Sequence, residues 1–325
     1  MDDMISFQAG LPSMMRSVQS DTMEPLNIYD TELYEGMTQL PPTRPITDET
    51  PTSYMFGKGT ILKVLGDIAH FLGSLDGFSY SKVHELDEEL TLAYLGLPPH
   101  LRMSALERPE MGSSLYGQII QLEILYHQGI CVLHRKFSAK GRIDPKFGHS
   151  RTRCLQSAMR LLSLQGLLFK DAKRPDGTIS FAQHWYRLSF TSQDFILAAI
   201  ILCIDLRHRK LEDAAKGTDS VSADIEEKPI LAALSDACQI WNEAKESSAE
   251  AWKVHRVFSQ MLRMLGLSEC HPQLPGLSGP KLTDTYPFLP QGVDSMDLNS
   301  DTAFDVNQID WASAEIRIVV SKLTI

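Results

Sequence analysis

The sequence predicts an all-α protein, arranged as a multi-helix bundle or a solenoid-like array. Three observations carry that reading. Seven stretches repeat apolar residues at steps of three and four. Residues that cap or break helices separate those stretches. Only residues 315–322 offer a period-two alternation of strand length. With 325 residues, 43% of them hydrophobic and 22% charged, the chain can bury a substantial core.

Residues 1–52 form an irregular segment packed on the helices. Prolines at 12, 25, 41, 42, 45 and 51 favour extended backbone. One short helix fits within residues 30–39, and Leu33, Tyr34 and Leu40 are the expected pins. The helical domain, residues 53–266, opens near Ser53. Ile61, Leu65, Ile68, Leu72 and Leu75 make its first stripe, with Gly73 and Gly77 at its end. Val83, Leu86, Leu90, Ala93 and Leu97 follow, capped by Ser81 and stopped by Pro98-Pro99. The clearest stripe is Leu115, Ile119, Leu122, Tyr126, Ile130, Leu133 and Phe137, with Ser113 or Ser114 as cap. After a loop through Gly141, Asp144-Pro145 and Gly148, the next face is Leu155, Ala158, Leu162, Gln165 and Phe169.

Arg174-Pro175-Asp176-Gly177 is turn chemistry. The following helix runs from Trp185 and Leu188 through Ser192 into the apolar run at 195–204, closed by Asp205. That run falls short of the roughly 20 residues a membrane span needs, so it reads as a core helix. Residues 211–228 read as an exposed connection. Ile230, Leu234, Ala237 and Trp241 give a sixth stripe. Ser248 caps a seventh, through Trp252, Phe258, Met261 and Leu265 to Gly266.

Residues 267–325 form a Pro/Gly linker and a tail. Residues 282–316 contain no Lys or Arg but seven acidic residues among bulky apolar ones. Phe288, Leu298, Phe304 and Trp311 are the candidate anchors of a disordered activation segment that folds on a partner. An ordinary solvated tail fits the composition equally well. The closing residues 315–325 are apolar after this acidic stretch, which suggests a misread splice junction.

The formal net charge of −10 and the absence of a dominant basic stripe argue against direct DNA contact. The basic runs at 133–136 and 207–210 read as solvated helix ends. The five cysteines are scattered, with no C-x-x-C pair, and the acidic start is unlike a secretory leader. An intracellular, reducing compartment is expected.

No catalytic, cofactor or metal site is expected in this chain. His84-Glu85-Leu86-Asp87-Glu88 lacks the second histidine of a zinc-protease helix, and its carboxylates read as a solvated face. Gly57-Lys58-Gly59-Thr60 lacks the spacing and preceding strand of a phosphate loop. His134 and Arg135 are the candidate regulatory residues, as a polar site lining an interhelical pocket. The plainer reading ties the helix end to loop carbonyls.

Seven phrases resemble the fungal-specific transcription factor domain, the middle homology region of zinc binuclear cluster transcription factors. They are SFQAGLP at 6–12, PLNIYD at 25–30, LPPTRPITDETP at 40–51, SYM at 53–55, LHRKF at 133–137, CLQSAM at 154–159 and DFILAAIILC at 194–203. The resemblance implies a nuclear regulator in which helices restrain an acidic activator. Its partners would be the transcription machinery or a related transcription factor, and its effector an unnamed small molecule. The family's zinc belongs to an amino-terminal six-cysteine cluster that reads DNA. No residue of this chain matches it, so a truncated form is expected. Two other classes remain open at this point: an all-α enzyme with an interhelical active site, and an inactive truncated paralogue.

Overall fold

The computed structural model describes residues 7, 25–74, 79–107, 113–172, 190–216, 223–246 and 249–265. Seven α-helices lie among them: α1 (Ser53–Gly73), α2 (Tyr80–Leu95), α3 (Ser113–Ser138), α4 (Gly148–Ala172), α5 (Phe190–Lys216), α6 (Ala223–Ala244) and α7 (Ala249–Met264). No strand occurs among the described residues, as the all-α expectation requires. The chain forms two compact units, Met1–Ala237 and Cys238–Ile325, divided within α6.

In the first unit α3 is the central helix. It packs against α1, α2, α4 and α5, and its pairing with α4 is the most extensive among the described residues. The reason is its sequence. Ile119, Ile120, Leu122, Ile124, Leu125, Tyr126 and Ile130 to Leu133 are all buried, so apolar side chains cover most of its circumference. A glycine lets two neighbours close on it. A methyl group at Gly129 would fall on the side chains of Leu65 from α1 and Leu90 from α2. Gly57 does the same for α1, where a Cβ would lie 2.7 Å from Leu97 Cδ2. Gly57 is therefore a packing residue inside a helix, whereas Gly59, in the same helix, faces open space.

The N-terminal segment differs from expectation. The expected helix at 30–39 is only a 3-10 turn, Asp30–Glu32. Leu33, Tyr34 and Leu40 are exposed and pin nothing. The segment folds instead around Asn27, which is 2% exposed. Its Nδ2 donates to the carbonyls of Pro45 (2.7 Å) and Arg44 (3.3 Å), and its Oδ1 accepts from Thr50. Thr50 Oγ1 accepts from the Ser53 amide at 3.1 Å, and Ser53 Oγ meets His100 Nε2 at 2.9 Å. An amide with two donors and an acceptor satisfies a proline-broken backbone better than isolated apolar residues can.

Several boundaries also move. Helix α2 starts at Tyr80, so Ser81 lies inside it and bonds Ser79 Oγ at 2.6 Å. Helix α5 runs past Asp205 to Lys216, and α6 begins at Ala223, so much of the expected connection at 211–228 is helical. Helix α6 even passes through Pro229, which removes one backbone donor near its start. The basic run at 207–210 is thus mid-helix. Trp185, Leu188, Leu75, Gly77, Ser248 and Gly266 lie outside the described residues.

In the second unit, α7 buries Ala251, Val254, Phe258, Met261 and Leu262 at helical spacing, and Leu265 just past its end is buried as well. Ser259 Oγ meets His255 Nε2 at 3.2 Å and Cys238 Sγ at 3.9 Å.

Replacing Gly129 with valine is expected to lower stability by about 1–3 kcal/mol in urea unfolding, because the added carbons meet a filled interface. Gly59 has open space around its Cα. Its replacement with alanine is expected to gain roughly 0.5–1 kcal/mol in the same assay.

Candidate functional site

The apolar stripe of α2 is interrupted by a carboxylate. Asp87 lies four residues after Val83 and three before Leu90, and all three are buried. It therefore points into the helix interface, where a lone charge is costly. Side chains of α3 and α4 answer it. Arg153 Nε lies 3.2 Å from both carboxylate oxygens, and its Nη2 donates to Oδ1. The same Nη2 reaches Thr91 Oγ1 at 3.0 Å and Tyr126 Oη at 3.1 Å. His149 Nε2 approaches Oδ2 at 2.9 Å. His134 Nε2 lies 3.2 Å from that oxygen but off the hydrogen-bonding direction, and makes no aligned hydrogen bond. His134 Nδ1 meets Ser150 Oγ at 2.9 Å, and Ser150 Oγ meets Tyr80 Oη at 2.9 Å.

Burial favours the neutral form of Asp87, but His134, Arg153 and His149, gathered on its two oxygens, prevail and hold its carboxyl well below the usual range. Burial lowers the His134 imidazole below its ordinary value, against the raising effect of Asp87. Ser150, His134 and Asp87 have the residue types of a hydrolytic triad. Ser150 is fully buried and already engaged by Tyr80, so no acyl group reaches its hydroxyl.

The same pattern recurs along α4. Glu123 of α3, 4% exposed, accepts from Arg160 Nε at 3.1 Å and from Tyr94. His127 Nε2 approaches it at 3.5 Å. Asp205 of α5, 5% exposed, takes Arg151 on both oxygens (2.9 and 3.1 Å), Arg209 Nε at 2.8 Å and Arg142 Nη1 at 2.9 Å. Burial raises the Asp205 carboxyl, and the arginines led by Arg151 lower it further than that.

His134 thus sits at the centre of a three-helix cluster, tied to helix side chains and not to loop carbonyls. Arg135 does not join it. Its Nη1 is buried without a hydrogen-bond partner, on the side of Cys131 and Cys154. Nearby, Asp194 of α5 is wholly buried and its carboxyl is pushed up to about 8 by desolvation, opposed by a hydrogen bond from Gln128. Phe288, Leu298, Phe304 and Trp311 lie outside the described residues. Sequence reasoning missed Asp87, His149, Arg153, Glu123 and Asp205. The available signal was a carboxylate inside an apolar stripe. Glu85 and Glu88 are exposed, as the solvated-face reading expects, whereas Asp87 is not.

Over most of its length the chain is homologous to fungal transcription factors of the Zn(2)-C6 type, at about one third identity. It is 34% identical over 303 residues to the pyrrolocin cluster transcription factor fsdR of Fungal sp. (strain NRRL 50135), covering 91% of this chain and 39% of that protein. It is 32% identical over 251 residues to the Zn(2)-C6 fungal-type transcription factor pigI of Monascus ruber, covering 77% and 31%. It is 32% identical over 263 residues to the equisetin cluster transcription factor eqxF of Fusarium heterosporum, covering 81% and 37%. The chain spans about a third of the length of these curated relatives. No family model matches it, and no solved structure does.

The described cysteines do not fit the zinc cluster that these names imply. Cys131, Cys154, Cys203 and Cys238 are each buried in the helical interior. Cys131 and Cys154 face each other's carbonyls, with sulfur–oxygen distances of 3.8 and 3.9 Å, and burial raises the Cys131 thiol well above its ordinary value. Zinc needs clustered thiolates.

Two outcomes follow. Asp205→Asn leaves three arginines around a neutral amide and is expected to lower stability by about 3–5 kcal/mol at pH 7 in urea unfolding. Asp194 has a raised folded-state value, so its contribution is complete below the unfolded value of about 3.8 and is lost as pH rises towards 8. Asp194→Asn is therefore expected to be increasingly more stable than the wild type from pH 5 to pH 8, measured by urea midpoints at each pH.

Proposed function

We propose that this chain is the helical regulatory module of a fungal Zn(2)-C6-type transcription regulator that acts in the nucleus. We further propose that it controls a biosynthetic gene cluster. The observation that carries this reading is the similarity to fsdR, a protein named as a cluster transcription factor, over 91% of the chain. The similarity to eqxF, also named as a cluster factor, supports the same reading.

The physical mechanism is a population shift. The helical body holds two arrangements of close free energy, and a partner or small molecule favours one of them. The acidic, aromatic-bearing residues at 282–316 supply the surface offered to the transcription machinery. Contact chemistry accounts for the role, and no residue is assigned a catalytic part. The sealed Ser150 hydroxyl supports that assignment.

The test fuses residues 1–325 to a heterologous DNA-binding domain and reads a reporter, with and without residues 282–325. Reporter activity from the full fusion is expected to drop to background when the tail is deleted. Equal output from the two fusions would contradict an activating tail.

A further inference from the structure

The geometry assigns a binding site for one divalent transition-metal ion, zinc by ligand type, to Asp87, His134 and His149. It is independent of the cysteine cluster named for the relatives and uses no thiolate. The three residues come from α2, α3 and α4, and one ligand atom from each lies within 4.8 Å of the others. Both imidazole Nε2 atoms converge on one oxygen, Asp87 Oδ2, at 3.2 Å for His134 and 2.9 Å for His149. A zinc ion with ligands at about 2.0–2.1 Å separates its donor atoms by roughly 3.3 Å when tetrahedral. The two nitrogen–oxygen edges are already near that spacing, and His149, 48% exposed, has the freedom to close the third.

Hydrogen bonding alone leaves one feature unexplained. His134 is fully buried, yet its Nε2 has no aligned hydrogen-bond partner. A buried ring nitrogen without a partner costs free energy unless something else satisfies it. A metal ion between the two histidines and Oδ2 does so. The surroundings also suit a ligand set. His134 Nδ1 is held by Ser150 Oγ at 2.9 Å, which fixes the ring and leaves Nε2 for the metal. Arg153 Nη2 holds Asp87 Oδ1 and its Nε is shared between the two oxygens at 3.2 Å, so Oδ2 keeps a lone pair for the metal and Asp87 serves as a one-oxygen ligand.

The positive charge of Arg153 opposes a dication, so moderate affinity is expected. Two imidazoles and one carboxylate favour zinc over magnesium or calcium, which prefer oxygen donors. The exposed side of His149, where the His84 ring lies 5.0 Å away, gives the ion an entry path. Bound there, the ion would join three helices and stabilise the folded chain by mass action.

The experiment titrates Co2+ into the metal-stripped 325-residue chain, followed by visible absorption, with Zn2+ as competitor. One equivalent of Co2+ is expected, displaced by Zn2+, with no thiolate-to-cobalt band. His149→Ala, at the half-exposed position, is expected to weaken Co2+ binding at least about tenfold. Its far-UV circular dichroism should match the wild type. Zn2+ is expected to raise the wild-type melting temperature and leave that of His149→Ala unchanged. Absence of stoichiometric uptake by the folded chain would overturn the site. So would a thiolate band, or binding by His149→Ala equal to that of the wild type.

Discussion

Three carboxylates are buried where α2, α3 and α5 meet α4, and an arginine of α4 holds each of them. Arg153 holds Asp87, Arg160 holds Glu123 and Arg151 holds Asp205. An ionised carboxylate taken out of water costs several kcal/mol unless it is paired and hydrogen-bonded. Replacing such pairs with apolar residues often costs nothing, so their value lies elsewhere. Here they set register. A slide of α4 by one turn, about 5.4 Å, would separate all three pairs at once and strand the carboxylates. Apolar stripes on α3 and α4 would tolerate that slide far better, because dispersion and hydrophobic contacts are not directional.

A body held in one register by charge can also change register when a charge is altered. Asp87 receives His134, His149 and Arg153 on its two oxygens, so a single carboxylate couples three helices. The buried Asp194 of α5 and the unpartnered Arg135 Nη1, on the side of Cys131 and Cys154, are two further buried polar groups. Polar strain of this kind is a plain physical route by which a small change in ligand or protonation moves a helical interface. That is the behaviour a regulatory module needs, and it requires no bond-making chemistry.

Much of the helical body was legible because each stripe sits on a 3.6-residue period. Ile61, Leu65 and Ile68, or Ile230, Leu234, Ala237 and Trp241, are buried as their spacing demands. Less legible were features that depend on a partner distant in sequence. Asp87 reads with its acidic neighbours in sequence, although its place between Val83 and Leu90 sets it in the buried stripe. Asp205 reads as a stop from its local sequence because the arginines that keep it in the helix interior, Arg142 and Arg151, lie more than fifty residues away. Leu33, Tyr34 and Leu40 read as pins because they are apolar, whereas the amide of Asn27 satisfies more of the broken backbone. Of the two candidate regulatory residues, His134 belongs to the cluster and Arg135, one position on, faces away from it. A helix turns about 100° per residue, so adjacent residues never share a face.

The register claim is tested most directly by a double-mutant cycle between Asp87 and Arg153, using Asp87→Asn and Arg153→Met with urea unfolding in a chelating buffer. The account predicts that the two changes are strongly non-additive, with a coupling of at least about 1.5 kcal/mol, because each leaves the other's partner stranded. Free energies that add within about 0.5 kcal/mol would contradict it.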